Sequence, residues 1–154
     1  YRVLSRDTQT LFDNTDDLQI SSYEGQIFNG NTFRLAFMQN LKSSRQSIVI
    51  SSPKLYRTER NTFVKMLREL HASGVQVAIL TSEESSQTNY LKSLGLYVKI
   101  VPKLSLSSCI IDRSTVWYGS INILGYVTEE DNIIKITDGK LANELLDVIY
   151  NSGK

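Results

Sequence analysis

Between residues 47 and 101, three short β-branched runs alternate with two stretches of helical spacing, and nothing else restricts the chain as strongly. Ser47–Ser52 (S-I-V-I-S-S) reads as a buried strand stopped by Pro53. Phe63, Met66, Leu67 and Leu70 then fall on one helical face, and Gly74 closes that helix as its C-cap. Val75–Leu80 is the next strand, Glu84–Leu94 the next helix, ended by Gly95, and Leu96–Val101 a third strand closed by Pro102 and Lys103. Strands joined through helices by short loops imply right-handed crossovers. The expected fold class is therefore α/β, a mixed, largely parallel β-sheet flanked by helices on both faces.

Both ends of the chain extend this body. Phe33, Phe37, Met38 and Leu41 recur at helical steps, so Thr32–Ser43 reads as an amphipathic helix capped by Asn31. Asn132–Thr137 reads as a further strand and Gly139–Asn151 as a closing helix. Residues 1–30 show no helical period and are expected to be an irregular segment packed on the body, with Ser21–Phe28 as a strand or hairpin piece. Residues 31–154 then form a single α/β domain, an ordinary size for one hydrophobic core.

The stretch that carries chemistry is Ser105–Asn122, S-L-S-S-C-I-I-D-R-S-T-V-W-Y-G-S-I-N. Cys109–Ile111 and Val116–Tyr118 flank the polar cluster Asp112-Arg113-Ser114-Thr115, which reads as strand, turn, strand. The second strand breaks at Gly119-Ser120-Ile121-Asn122. There a glycine permits close backbone approach, and two small polar side chains can bind an anion or stabilise their own loop.

Asp112 followed by a strand and Gly119-Ser120-x-Asn122 resembles the second half of the HKD motif of the phospholipase D superfamily: H-x-K-x4-D, a short strand, G-S-x-N and a later carboxylate. Counted back from Asp112, the histidine position is Ser105 and the lysine position Ser107; Glu129 or Glu130 falls where the later carboxylate is expected. Ser21–Phe28, Thr32-Phe33-Arg34, Ile48–Pro53 and Trp117–Ser120 are similar to PLD-like domains of bacterial proteins, often appended to helicases. The likeness runs from about Ser21 onward and implies a PLD-like fold. It also implies a phosphohistidine intermediate, a second histidine protonating the leaving oxygen, a lysine neutralising the phosphoryl group, and an aspartate orienting the nucleophile. Here both reacting positions are serine. His71, the one histidine, lies in a different element. Serine without a base is a poor nucleophile and carries no charge. The expected site is therefore catalytically degenerate at Ser105, Ser107 and Asp112, with Ser105, Ser107, Ser120, Asn122 and Glu130 left as phosphate or anion ligands. Asp112, lacking its partner, is expected to cap its own turn.

Ligands of open α/β sheets gather beyond the carboxyl ends of the strands. Lys54, Arg57 and Arg60 leave the first strand there and Lys103 the third; Tyr56 and Tyr126 add ring faces. Cations interleaved with aromatics suit a phosphate backbone or a single strand of nucleic acid, and equally an ordinary solvated loop. A net charge of +1 points to neither nucleic acid nor membrane by itself. The single cysteine, Cys109, excludes an internal disulfide and reads as a small buried hydrophobe. No run approaches the ~18 apolar residues of a membrane span. Tyr1 in place of an initiator methionine, with no signal pattern, suggests a piece of a longer protein.

Three functions follow as expectations. The first is an accessory phosphate- or nucleic-acid-binding or interaction module of a larger helicase-like protein. Its expected partners are DNA, motor or other domains of the parent chain, or a second copy, with no membrane and a cytoplasmic setting. The second is a residual phosphodiesterase or nuclease acting as a homodimer. The third is a purely structural dimerisation or docking domain. No cofactor or metal is expected in any of them.

Overall fold

The computed structural model describes residues 2–4 and 25–151. In chain order they form β1 (Arg2–Leu4), β2 (Gly25–Asn29), α1 (Phe33–Lys42), β3 (Ser47–Ser51), α2 (Thr62–Ala72), β4 (Gln76–Thr81), α3 (Ser86–Ser93), β5 (Tyr97–Ile100), β6 (Ser107–Ile111), β7 (Thr115–Gly119), β8 (Asn132–Thr137) and α4 (Gly139–Asn151). A 3-10 turn, Thr58–Arg60, precedes α2. One eight-stranded sheet runs β1-β2-β8-β7-β6-β3-β4-β5.

The sheet is mixed but not largely parallel. Only β3–β4 and β4–β5 pair in parallel, and every pairing from β3–β6 outward to β1 is antiparallel. The reason lies in the connections. α2 and α3 are long enough to carry the chain back for parallel crossovers, whereas the short turn between Ile111 and Thr115 can only reverse it. Within the N-terminal stretch the strand expected in Ser21–Phe28 is present, as a member of the main sheet. Gly25–Asn29 is a sheet strand paired with β8, and Arg2–Leu4 pairs with it in turn. Residues 5–24 lie outside the described residues.

Alternation along the strands sorts the core into two layers. Ile48, Ile50, Val77, Ile79, Cys109, Ile111 and Trp117 face α1, α2 and α3. Leu80, Val101, Leu104, Ile110 and Val116 face Ala142 and Ile149 of α4. Helices thus flank both faces. Burial pushes the Cys109 thiol well above its ordinary pKa, which leaves it an inert core side chain. The start of α1 is fixed differently from expectation. Thr32 is the N-cap and its side chain makes no capping bond. Asn29 Oδ1 instead accepts the backbone N–H of Asn31 at 2.8 Å and of Thr32 at 3.0 Å.

Trp117 is fully buried, edge-on to Phe37 at 5.2 Å between centroids and tilted against Phe28 at 5.3 Å. Its indole Nε1–H donates to Asn40 Oδ1 at 2.7 Å. Asn40→Ala strands that donor in the core and is expected to cost about 1–2 kcal/mol. Asn40→Asp keeps an acceptor and should cost less. Urea midpoints check this, and equal losses in the two variants would remove the bond from the account.

Candidate functional site

Register brings the motif to one edge. Ser51 at the end of β3 pairs with Leu80 near the end of β4 and with Ser108 of β6. Ser107 pairs with Gly119 of β7, which pairs with Ile133 of β8. The carboxyl ends of the parallel strands, the start of β6 and the end of β7 therefore share an edge, where α/β sheets collect ligands.

That edge is lined with hydroxyls. Ser51, Ser52, Ser107 and Ser108 are all buried. Ser51 Oγ and Ser108 Oγ lie 2.7 Å apart, on the α4 side of the sheet. Ser52 Oγ donates to the Lys54 carbonyl at 2.7 Å and accepts the Leu124 N–H at 3.2 Å, joining two loops. Asn122 Oδ1 accepts the Lys54 N–H at 3.2 Å and the Ser107 hydroxyl at 3.4 Å. Its amide nitrogen keeps both donors. Ser105 is exposed in the loop before β6. Gly125 makes this seam possible, since a Cβ there would sit 2.8 Å from the Lys54 carbonyl oxygen.

Other motif residues are committed elsewhere. Ser120 Oγ donates to Asp131 Oδ1 at 3.1 Å and accepts the Asn132 N–H at 3.0 Å. Asp131 also takes the Thr128 N–H and hydroxyl, each at 3.1 Å. The carboxylate tied to this motif is thus Asp131, while Glu129 and Glu130 are exposed. The close approach that Gly119 permits is to the Asn132 carbonyl of the neighbouring strand. Thr128 and Asp131 stand three apart, a local side-chain-to-backbone pattern that the sequence displays and that motif counting passes over.

Asp112 does not belong to the edge. It follows the far end of β6, about 17 Å from Ser107 at the usual rise per residue. Its carboxylate accepts the backbone N–H groups of Arg45 (3.1 Å to Oδ2), Gln46 (2.7 Å) and Ser47 (3.0 Å to Oδ1). It therefore ties down the entry to β3 and does not cap its own turn. His71, exposed in the last turn of α2, is likewise remote, because α2 leads into β4 at the opposite edge.

Lys54, Tyr56, Arg57, Arg60 and Lys103 are all exposed on loops leaving the serine edge. Tyr56 and Tyr126 meet edge-to-face at 5.5 Å, and the Arg57 guanidinium lies 5.1 Å from the Tyr56 ring centre. The Tyr56 N–H donates to the Leu124 carbonyl at 3.0 Å, so this cluster is fastened to the loop that carries Asn122. The same edge also carries Glu59, Glu83, Glu84, Glu129, Glu130 and Asp131. Its cations are thus a local cluster on the β3–α2 loop and Lys103, not a uniformly basic rim. Among the described residues no group of His, Cys, Asp and Glu is arranged to hold a metal ion, and no helix is long and apolar enough to cross a membrane.

The family model described as cardiolipin synthase, PLD-like domain, matches residues 37–151. No curated protein matches the chain significantly. Among solved structures, Nuc from Salmonella typhimurium, a phospholipase D family member, is similar with a TM-score of 0.69 and 20% identity, over 84% of this chain and 95% of that one. NucT from Helicobacter pylori follows with a TM-score of 0.63 and 16% identity, over 82% and 92%. TrmBL2, an archaeal chromatin protein whose structure shows a novel mode of DNA binding, has a TM-score of 0.61 and 13% identity, over 82% of this chain and 50% of that one. At such identities the structural likeness is one of fold. The family match is broader in meaning: it spans β3 to α4 and with them the whole serine-lined edge, and on that ground the chain belongs to the PLD-like domain family.

Proposed function

We propose that this is a PLD-like domain whose HKD motif is degenerate, and that it serves as an accessory phosphate- or nucleic-acid-binding or interaction module of a larger, helicase-like DNA-processing protein. One observation carries the reading. The Ser107 hydroxyl donates to the Asn122 amide oxygen, which cannot take up a proton, and the chain's one histidine, His71, lies on α2 away from it. An oxygen nucleophile needs a neighbouring base, and a transferring phosphoryl group needs a positive charge. Pairing two copies across a two-fold would only duplicate the serines.

Binding needs less than catalysis. Ser105, the Asn122 amide nitrogen and the cations Lys54, Arg57, Arg60 and Lys103 offer donors and charge for phosphate oxygens, and Tyr56 and Tyr126 offer ring surface. Four phosphate contacts on a single strand correspond to a slope of about −3 in log affinity against log salt. Filter binding of single-stranded DNA across a salt series is expected to show it, with Lys54→Ala flattening the slope by about one contact. Affinity indifferent to salt, or no binding, would remove the nucleic-acid part. For the loss of catalysis, bis-p-nitrophenyl phosphate is expected to be untouched above the buffer rate. Turnover that disappears in Ser105→Ala would overturn it and favour the residual phosphodiesterase.

A further inference from the structure

Resting on the nucleic-acid reading above, we infer that this edge takes a single strand of DNA and turns a duplex away, with one unpaired base stacked on Tyr126 and its phosphate on Lys54 and the Asn122 amide nitrogen.

Tyr56 and Tyr126 are 43% and 66% exposed, so each leaves ring surface to water. They are not loose. Every second residue of the β3–α2 loop is tied to the body: the Lys54 N–H to Asn122 Oδ1 at 3.2 Å, the Tyr56 N–H to the Leu124 carbonyl at 3.0 Å and the Thr58 N–H to Gln87 Oε1 at 2.7 Å. On the facing loop the Gly125 N–H donates to the Asn122 carbonyl at 2.8 Å, a turn that leads directly into Tyr126. Tyr56 is met edge-to-face by Tyr126 and lies under the Arg57 guanidinium, so the more open ring of the cluster is Tyr126. A ring fixed before its ligand arrives loses little freedom on stacking.

The same ties set the spacing. Tyr56 follows Lys54 by two residues, a separation of at most about 7 Å along the backbone, and Lys54 is bonded to Asn122. Phosphate donors and ring surface therefore lie as close together as the phosphate and base of one nucleotide.

Charge excludes the duplex. Lys54, Arg57 and Arg60 crowd one short loop, whereas Glu83 on the β4–α3 loop and Glu129 and Glu130 on the β7–β8 loop are exposed acids of the same edge. A single strand need cross only the basic loop. A duplex carries a second phosphate chain across a groove about 12 Å wide, which would be laid against those carboxylates, where like charges repel. Its bases are also paired and stacked, and so offer Tyr126 no free face.

The test is filter binding of the full chain, at one salt concentration, to three probes: a single strand, the same strand carrying abasic sites in place of its bases, and the same strand in a duplex. Stacking of one base on an aromatic ring is worth roughly tenfold in affinity, so the intact strand is expected to bind about tenfold more tightly than the abasic one and at least as far above the duplex. Tyr126→Ala should remove the preference over the abasic strand and leave the salt dependence as it was, since no phosphate contact is lost. Tyr126→Phe keeps the ring and should bind like the parent. Tyr126 is exposed, so both variants should melt with the parent. Equal affinity for intact and abasic strands, a duplex bound as tightly as the single strand, or an unaltered preference in Tyr126→Ala would each overturn the inference while leaving salt-dependent phosphate binding in place. No binding of any probe would overturn both.

Discussion

Asp112→Ala should destabilise the domain by about 2–3 kcal/mol, although Asp112 stands far from the serine-lined edge. Hydrogen bonds to an ionised acceptor are worth about 1.5–3 kcal/mol each, and this carboxylate receives three. They do not add in full, because Arg45 and Gln46 are exposed and their N–H groups regain water in the variant. Alanine adds its own cost by taking a left-handed backbone, of order 1 kcal/mol. Asp112→Asn separates the parts: asparagine tolerates that backbone and keeps one acceptor, so its expected loss is about 1 kcal/mol. Urea unfolding at constant m-value reads both. A loss below about 0.5 kcal/mol in Asp112→Ala would show that the entry to β3 is held by packing alone.

The same aspartate shows where sequence and structure part. Its position in the motif is legible from spacing, and spacing suggests a partner five or seven residues back at Ser107 or Ser105. A five-residue strand intervenes, however, and puts the residue at the opposite end of the sheet. Its real partners are some 65 residues away in the chain, beyond any local pattern. The hairpin, the three parallel strands and α1, α2 and α4 were readable because β-branched runs and helical spacing are local signals. A strand was legible within Ser21–Phe28 too, but its place in the sheet was not, since Gly25–Asn29 pairs with Asn132–Thr137 more than a hundred residues on. Nor was Ser52, whose hydroxyl matters only once Lys54 and Leu124 meet. The spacing offered Glu129 or Glu130 as the later carboxylate, and the hydrogen bond from Ser120 goes to their neighbour Asp131, a pairing that spacing does not display.

The proposal of a degenerate motif makes its most demanding prediction through repair. If the edge has lost only two side chains, the double variant Ser105→His/Ser107→Lys should gain cleavage of bis-p-nitrophenyl phosphate over the parent's background. Each acid–base group typically supplies about 10²–10⁴-fold, so the gain should be large, while either single change should stay near background. The placement favours this outcome. Ser105 is exposed, with room for an imidazole at the edge, and Ser107 already touches Asn122, so a lysine there would point among hydroxyls and an amide. Burial works against it, since position 107 is 6% exposed and desolvation depresses an ammonium. On that face the Ser52 hydroxyl is already bonded to both loops and must turn to solvate the charge, while Ser51 and Ser108 bond each other on the α4 side. With one motif per chain, leaving-group protonation requires a second copy, so the specific activity of the variant should rise with protein concentration. A folded, dimeric double variant with no activity would mean that the edge has been rebuilt around its serines, and that the hydroxyl network itself is what this domain uses.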